Sequence, residues 1–182
     1  ILEENYGDTS LPVKIYLFQG LPKADKMELI IQKAVELGVY EIIPVETKRC
    51  VVKLDDKKAK SIIARWQGIA EAAAKQSKRR IVPEIGNVMS FKEALQFVQD
   101  FDVKLIPYEM AEDMSKTKAI IENIRPGQKI AVFIGPEGGF EEAEIKEALE
   151  SGVVPITLGK RILRTETAGM AMLAQIMYEV EP

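Results

Sequence analysis

A chain of 182 residues, 47% hydrophobic and 29% charged, is one globular domain or one domain with an appendage; its composition excludes disorder, a collagen-like rod and a disulfide scaffold. Its net charge of −3 excludes a basic nucleic-acid module as a description of the whole chain, though not a local basic patch. It holds no histidine, which removes Ser-His-Asp and Cys-His nucleophiles, histidine general bases and most zinc sites, so no metal is expected.

The polar, acidic start Ile1–Ser10 is not a signal peptide, and no segment approaches the ~20 apolar residues of a membrane span. It also lacks an initiator Met, and a segment before Ile1 is expected to be missing. Val13–Gln19 (VKIYLFQ) predicts the first strand, and Pro22 breaks it. Ala24–Leu37 places Met27, Ile30, Ile31, Ala34 and Val35 at helical spacing, and Gly38 follows where helices commonly end. Tyr40–Glu46 predicts a strand whose Pro44 argues for an edge or irregular position. Asp55 is placed to cap a long helix that reaches about Ser77 and carries Trp66, which reads as core or interface. Pro83–Val88 predicts a short strand, and Ser90 with Glu93 a capping box on a helix to about Val98. Strands over Val103–Pro107, Lys129–Ile134 and Val153–Leu158 follow, interleaved with helices over Ser115–Asn123, Glu141–Ser151 and Thr165–Val180. KIAVFI at 129–134 is apolar throughout, as a strand covered on both faces should be. Strand–helix alternation of this kind predicts an α/β fold, a mostly parallel sheet with helices on both faces.

Two loops carry chemical signal. Gly135-Pro136-Glu137-Gly138-Gly139-Phe140 leaves the carboxyl end of an apolar strand, where open α/β sheets bind ligands. It is neither a Walker loop nor a G-x-G-x-x-G loop, and Glu137 sits where a phosphate would, so a neutral or cationic small molecule fits better. The bland alternative is a tight turn. Leu158–Ala168 (LGKRILRTETA) packs cations, a carboxylate and two threonines around Ile162-Leu163. That pair either plugs the core, with Thr165 or Thr167 capping the next helix, or forms an apolar slot for an aromatic ring. Cys50, the single cysteine, forms no internal disulfide and favours a reducing, cytoplasmic compartment.

GPEGGF, LGKRILRTETA, KADKMELIIQKAVELGVYEIIPV and RWQGIAEAAAKQSKR together resemble the RsmE-type ribosomal RNA methyltransferases of the SPOUT superfamily, over about residues 13–180. The resemblance implies a domain over residues 13–182 with a deep C-terminal trefoil knot, and a homodimer. It implies that residues 1–12 are a connecting tail from a missing N-terminal PUA-like domain. It implies S-adenosyl-L-methionine as cofactor and methylation of N3 of a specific uridine in 16S rRNA, free or in the small ribosomal subunit. The residues matching the family's cofactor loops are Ile106, Pro107, Ile134, Gly135, Pro136, Gly138, Gly139, Leu158, Gly159, Ile162, Leu163, Thr167 and Ala168. Glu137 would face the sulfonium or accept loop N–H groups, the second being favoured.

Loss of the N3 proton leaves an imide anion. Arg164 is expected to stabilise it, and Glu166 to act as base or to orient Arg164, against the plainer role of a solvent pair at a helix start. Lys75, Arg79 and Arg80, in the densest basic run, and Arg161 are expected to contact RNA, Lys75 also fitting a solvated helix end. Two alternatives stay open: a non-catalytic RNA-binding or ribosome-assembly module, and a SPOUT methyltransferase acting on tRNA or ribose 2′-OH.

Overall fold

The computed structural model of the chain describes residues 9–111 and 113–181. Of the expected tail, residues 1–8 lie outside the described residues. The elements alternate as β1 (Lys14–Gly20), α1 (Lys26–Glu36), β2 (Glu41–Glu46), α2 (Asp56–Gln76), β3 (Glu84–Ile85), β4 (Met89–Ser90), α3 (Phe91–Phe97), β5 (Val103–Pro107), α4 (Met114–Glu122), β6 (Lys129–Ile134), α5 (Glu142–Glu150), β7 (Val154–Ile156) and α6 (Thr165–Val180). The strands form one sheet in the order β3-β2-β1-β6-β5-β7, with β4 also paired to β2, and every pairing is parallel.

Helices cover both faces, as the continuous apolar strands require. Ile15 and Leu17 of β1 point to the face where Met27 of α1, Trp66 of α2, Ile121 of α4 and Met172 of α6 are buried. Tyr16 and Phe18 point the other way, toward Phe91 and Leu95 of α3 and Ile145 of α5. Phe18 and its cross-strand neighbour Phe133 stack with ring centroids 4.7 Å apart. Pairs of this kind add to the area they bury and help fix register.

Two local rules in the sequence hold, and a third holds in one of its two alternatives, the irregular one. Asp55 accepts the Lys58 N–H at 2.8 Å, and Ser90 with Glu93 makes a complete capping box. Pro44, however, lies on a strand with neighbours on both sides rather than on an edge. The Ile42 carbonyl accepts from Gly86 N–H, so residues 42 and 44 face the β3–β4 side of β2. Pro44 falls where β3 has ended at Ile85 and β4 has not begun at Met89. The missing proline N–H therefore meets a break in the ladder, which satisfies the chemical constraint inside the sheet.

Arg79 also departs from its expected task. Its Nη1 donates to the Val35 carbonyl at 3.1 Å and the Val39 carbonyl at 2.7 Å, closing the chain turn between α1 and β2. Burial holds the guanidinium pKa below its ordinary value. The residue expected to contact phosphate is thus committed to the fold: it adds a donor to the Val35 carbonyl, which the Gly38 N–H also reaches at 3.2 Å, and ties it to the Val39 carbonyl beyond the helix end. Arg79→Ala should lower unfolding stability by ~1–3 kcal/mol, read as a lower urea midpoint at unchanged slope. An unchanged midpoint would mean that water replaces these bonds without loss.

Candidate functional site

Apolar burial decides where the site forms. β7 is at the sheet edge, two strands from β6, yet α6 must bury Met172, Leu173 and Ile176 against α1 and the centre of the sheet. Gly169 of α6 comes so close that a Cβ there would sit 3.9 Å from Ile134 and 4.0 Å from Leu17. Residues 157–164 therefore run back across the carboxyl ends of the strands. They enclose a cleft of about 540 Å³ with the loop after β6 and the end of β5. β1 and β6 are adjacent but feed helices toward opposite ends of the sheet, so this is the switch point where α/β folds bind ligands.

The loop after β6 is tightly seated. Gly139 N–H donates to the Pro136 carbonyl at 2.9 Å and Gly139 has φ +67°, a conformation that side chains other than glycine's disfavour. Beneath it, a Cβ on Gly20 would lie 2.7 Å from Pro136, so β1 ends on glycine to let the loop pass. Arg49, from the segment after β2, donates to the Gly138 carbonyl at 2.8 Å. That segment is held in turn by Glu144, a buried carboxylate on α5 that accepts Lys48 N–H at 2.8 Å and Glu141 N–H at 2.9 Å.

Two carboxylates, Glu137 in the lining and Glu166 at the start of α6, approach one cation. Glu137 Oε1 accepts the Lys23 N–H at 2.9 Å and lies 3.1 Å from Lys26 Nζ. Burial pushes its pKa up, but the Lys23 N–H, its own backbone N–H and the Lys26 ammonium outweigh that and hold it below the usual carboxylate range. Of its two expected roles, the geometry matches the acceptor of backbone N–H groups. Glu166 Oε2 lies 4.0 Å from the same Lys26, and that oxygen is buried without a hydrogen-bond partner. No ion pair joins Glu166 to Arg164 among the described residues.

Thr165 joins the two loops. Its hydroxyl donates to the Gly135 carbonyl at 2.6 Å and accepts from Gln19 Nε2 at 2.9 Å. The sequence offers Thr165 or Thr167 as a helix cap; in the structure the capping position is Arg164, with no side-chain bond, and Thr165 is the first helical residue. Its hydroxyl is drawn instead to the Gly135 carbonyl.

The cleft brings together Pro107, Ile134, Gly135, Pro136, Gly138, Gly139, Leu158, Gly159, Ile162, Leu163 and Ala168, with Arg161 and Arg164 among its lining residues. Ile106 and Thr167 fall outside that lining: Ile106 is buried toward α3 and α5, and Thr167 is exposed. Ile162 is 87% exposed, so of the Ile162-Leu163 pair only Leu163 is positioned as an inner wall. Lys75, Arg79 and Arg80 are at the carboxyl end of α2, which returns to the amino ends of the strands, so they lie across the sheet from the cleft. The sequence does not single out Lys26, Arg49, Tyr108 or Thr157 as site residues, though all four line the cleft. Gln19 carried a signal, as a polar side chain in an otherwise apolar buried strand. Among the described residues no group of three metal-binding side chains converges and no helix is long and apolar enough to cross a membrane.

Residues 9–177 match the family described as RNA methyltransferase domain. The chain is 45% identical to ribosomal RNA small subunit methyltransferase E of Bacillus subtilis, over 100% of the chain and 72% of that protein. It is 38% identical to the protein of the same name from Mesomycoplasma hyopneumoniae, over 98% of the chain and 76% of that protein. Among solved structures, ribosomal RNA small subunit methyltransferase E of Neisseria gonorrhoeae bound to S-adenosyl methionine superposes with TM-score 0.82 at 38% identity, over 93% of the chain and 68% of that one. A Legionella pneumophila protein in complex with the bound cofactor SAM superposes with TM-score 0.85 at 32% identity, over 94% of the chain and 68% of that one.

The lowered Glu137 pKa carries a sign. A carboxylate held below its unfolded pKa stabilises the fold fully above about pH 4.5, and that contribution disappears as pH falls through the folded value. Glu137→Gln should therefore be less stable than the parent protein at neutral pH, with the gap closing in acid. Parallel stability curves across that range would show the carboxylate charge to be idle.

Proposed function

This chain belongs to the RNA methyltransferase family that includes ribosomal RNA small subunit methyltransferase E, and on that premise we propose that it carries the methyl-transfer site of an enzyme acting on N3 of a uridine in small-subunit rRNA. The observation that carries the proposal is the convergence of GPEGGF and LGKRILRTETA on one cleft of about 540 Å³, within the usual range of small-molecule sites.

S-adenosyl-L-methionine fits what lines this cleft. Ile134, Pro107 and Leu163 offer apolar surface to an adenine ring, and Gly138 and Gly139 expose backbone with no Cβ in the way. Thr157, Tyr108, Glu109 and the loop backbone supply polar partners at its edge. When bound, the cofactor supplies an electrophilic methyl group whose departure leaves a neutral thioether, so no acid is needed for the leaving group.

The chain's own residues then have two tasks. The uridine N3 must lose its proton, and the anion spread over N3 and the flanking oxygens must be stabilised. Arg164 is exposed and unpaired by any carboxylate among the described residues, and it lines the cleft, which suits a fixed positive charge at the developing anion. Glu166 lies 4.0 Å from Lys26 and forms no ion pair with Arg164 among the described residues, so in this reading it serves as base or as part of the Lys26 cluster rather than as an orienter of Arg164. Arg49, Lys160 and Arg161 line the same cleft, and we assign Arg161 to the RNA backbone. Lys75 and Arg80, exposed on the far edge, would meet a separate part of an extended RNA.

The proposal extends to the family's trefoil knot, a cytoplasmic setting, a PUA-like domain ahead of residues 1–12 and a twofold dimer. What supports a dimer is the outer face of α6: Met170, Ala171, Ala174 and Met177 are only half-buried and Tyr178 is 85% exposed. Light scattering at micromolar protein should give twice the chain mass of 20.3 kDa; a monomer would remove the dimer from this account.

The direct test incubates the complete protein with labelled S-adenosyl-L-methionine and small subunits lacking the modification, then locates the label by nucleoside mass spectrometry. The label should reside on uridine N3; a ribose methyl or an unlabelled subunit would refute the proposal. Arg164→Ala should lower turnover by ~10-fold or more while donor affinity stays near the parent value.

A further inference from the structure

The two walls of the cleft meet at a buried chain of hydrogen bonds that starts inside the sheet. Gln19 is fully buried on β1, in register with Ile134 on one side and Pro44 on the other. A polar side chain so placed is costly unless bonded. Its Nε2 donates to the Gly20 carbonyl at 2.9 Å and to Thr165 Oγ1 at 2.9 Å, and Thr165 Oγ1 donates to the Gly135 carbonyl at 2.6 Å.

Chemistry forces the direction of this relay. A carbonyl only accepts, so the single Thr165 hydroxyl proton goes to Gly135. The Thr165 oxygen must then accept, which turns the amide nitrogen of Gln19 toward it. Gln19 Oε1 is left buried without a partner, as expected of a side chain whose orientation is set by the other end of its amide. β1 itself has no need of the relay, because parallel ladders hold it on both sides. The loops do: among the described residues no backbone–backbone hydrogen bond joins 135–140 to 157–164.

We propose that Gln19 is a positioning residue which, acting through Thr165, fixes the Gly135 carbonyl against the start of α6 and so sets the spacing of the two cleft walls. The proposal rests on the assignment of the cleft as the S-adenosyl-L-methionine site, and its test separates the two. Thr165→Val keeps the side-chain shape and removes the hydroxyl, whereas Thr165→Ser restores it.

Two quantities are measured on the purified protein: S-adenosyl-L-methionine affinity by calorimetry, and amide hydrogen exchange over residues 135–140. Thr165→Val should weaken donor binding about 10-fold or more and speed loop exchange by a similar factor, with β1 and β6 as protected as in the parent. Thr165→Ser should stay close to the parent in both. Should Thr165→Val fail to fold, Gln19→Met, which removes the donor at the other end of the relay, is expected to shift both quantities in the same direction. Unchanged loop exchange in Thr165→Val, or in Gln19→Met where that variant decides, would overturn the positioning role. If the parent protein bound no donor, the assignment of the cleft would fall, while loop exchange would still decide the relay.

Discussion

The Thr165 hydroxyl, 2.6 Å from the Gly135 carbonyl, is the contact on which the geometry of the site depends. It exists because two larger forces bring its partners together. The all-parallel sheet puts the carboxyl ends of β1, β5, β6 and β7 along one edge. The apolar face of α6 then finds its burial over the centre of that sheet rather than beside β7. Hydrophobic burial is non-directional and tolerates some sliding of a helix on a sheet. A hydrogen bond is directional, and this one fixes where α6 begins relative to the loop after β6.

Charge is distributed by the same geometry. The chain as a whole is slightly acidic, yet the cleft is lined by Arg49, Lys160, Arg161 and Arg164. Of the two carboxylates that line it, Glu137 pairs with Lys26, which Glu166 outside the lining also approaches at 4.0 Å, and Glu109 stands just past the end of β5. Five lining cations, with Lys26 among them, against two lining carboxylates leave an excess of positive charge at the cleft, which attracts a polyanion. It fits the proposed rRNA substrate better than the net charge alone would suggest.

Every helix and every strand except the two-residue β4 at Met89–Ser90 was legible in the sequence, because burial on both sheet faces leaves long apolar runs and helix caps leave fixed residue pairs; β4 is too short to leave a run. Pro44 was legible as an irregularity but not as an inner one, since a break in the neighbouring strand cannot be read from the strand that needs it. The cleft loops were legible through their glycines and clustered charges. What escaped were residues that act by reaching across the fold. Arg79 looked like part of a basic run, but its carbonyl partners Val35 and Val39 lie 44 and 40 residues away in sequence. Arg49 and Lys26 carry no local pattern that separates them from surface cations. Thr165 had the residue type of a cap, and only the position of Gly135 shows where its proton goes.

The central claim is that the cleft between the loops after β6 and β7 is where the methyl donor binds. Titrating S-adenosyl-L-methionine into isotope-labelled protein and following the backbone amide resonances tests it most directly. The account predicts shifts concentrated in residues 134–140 and 157–168, with α2 and α3 unmoved. Shifts centred on another surface, such as the groove between α1 and α2, or none at saturating donor, would contradict it.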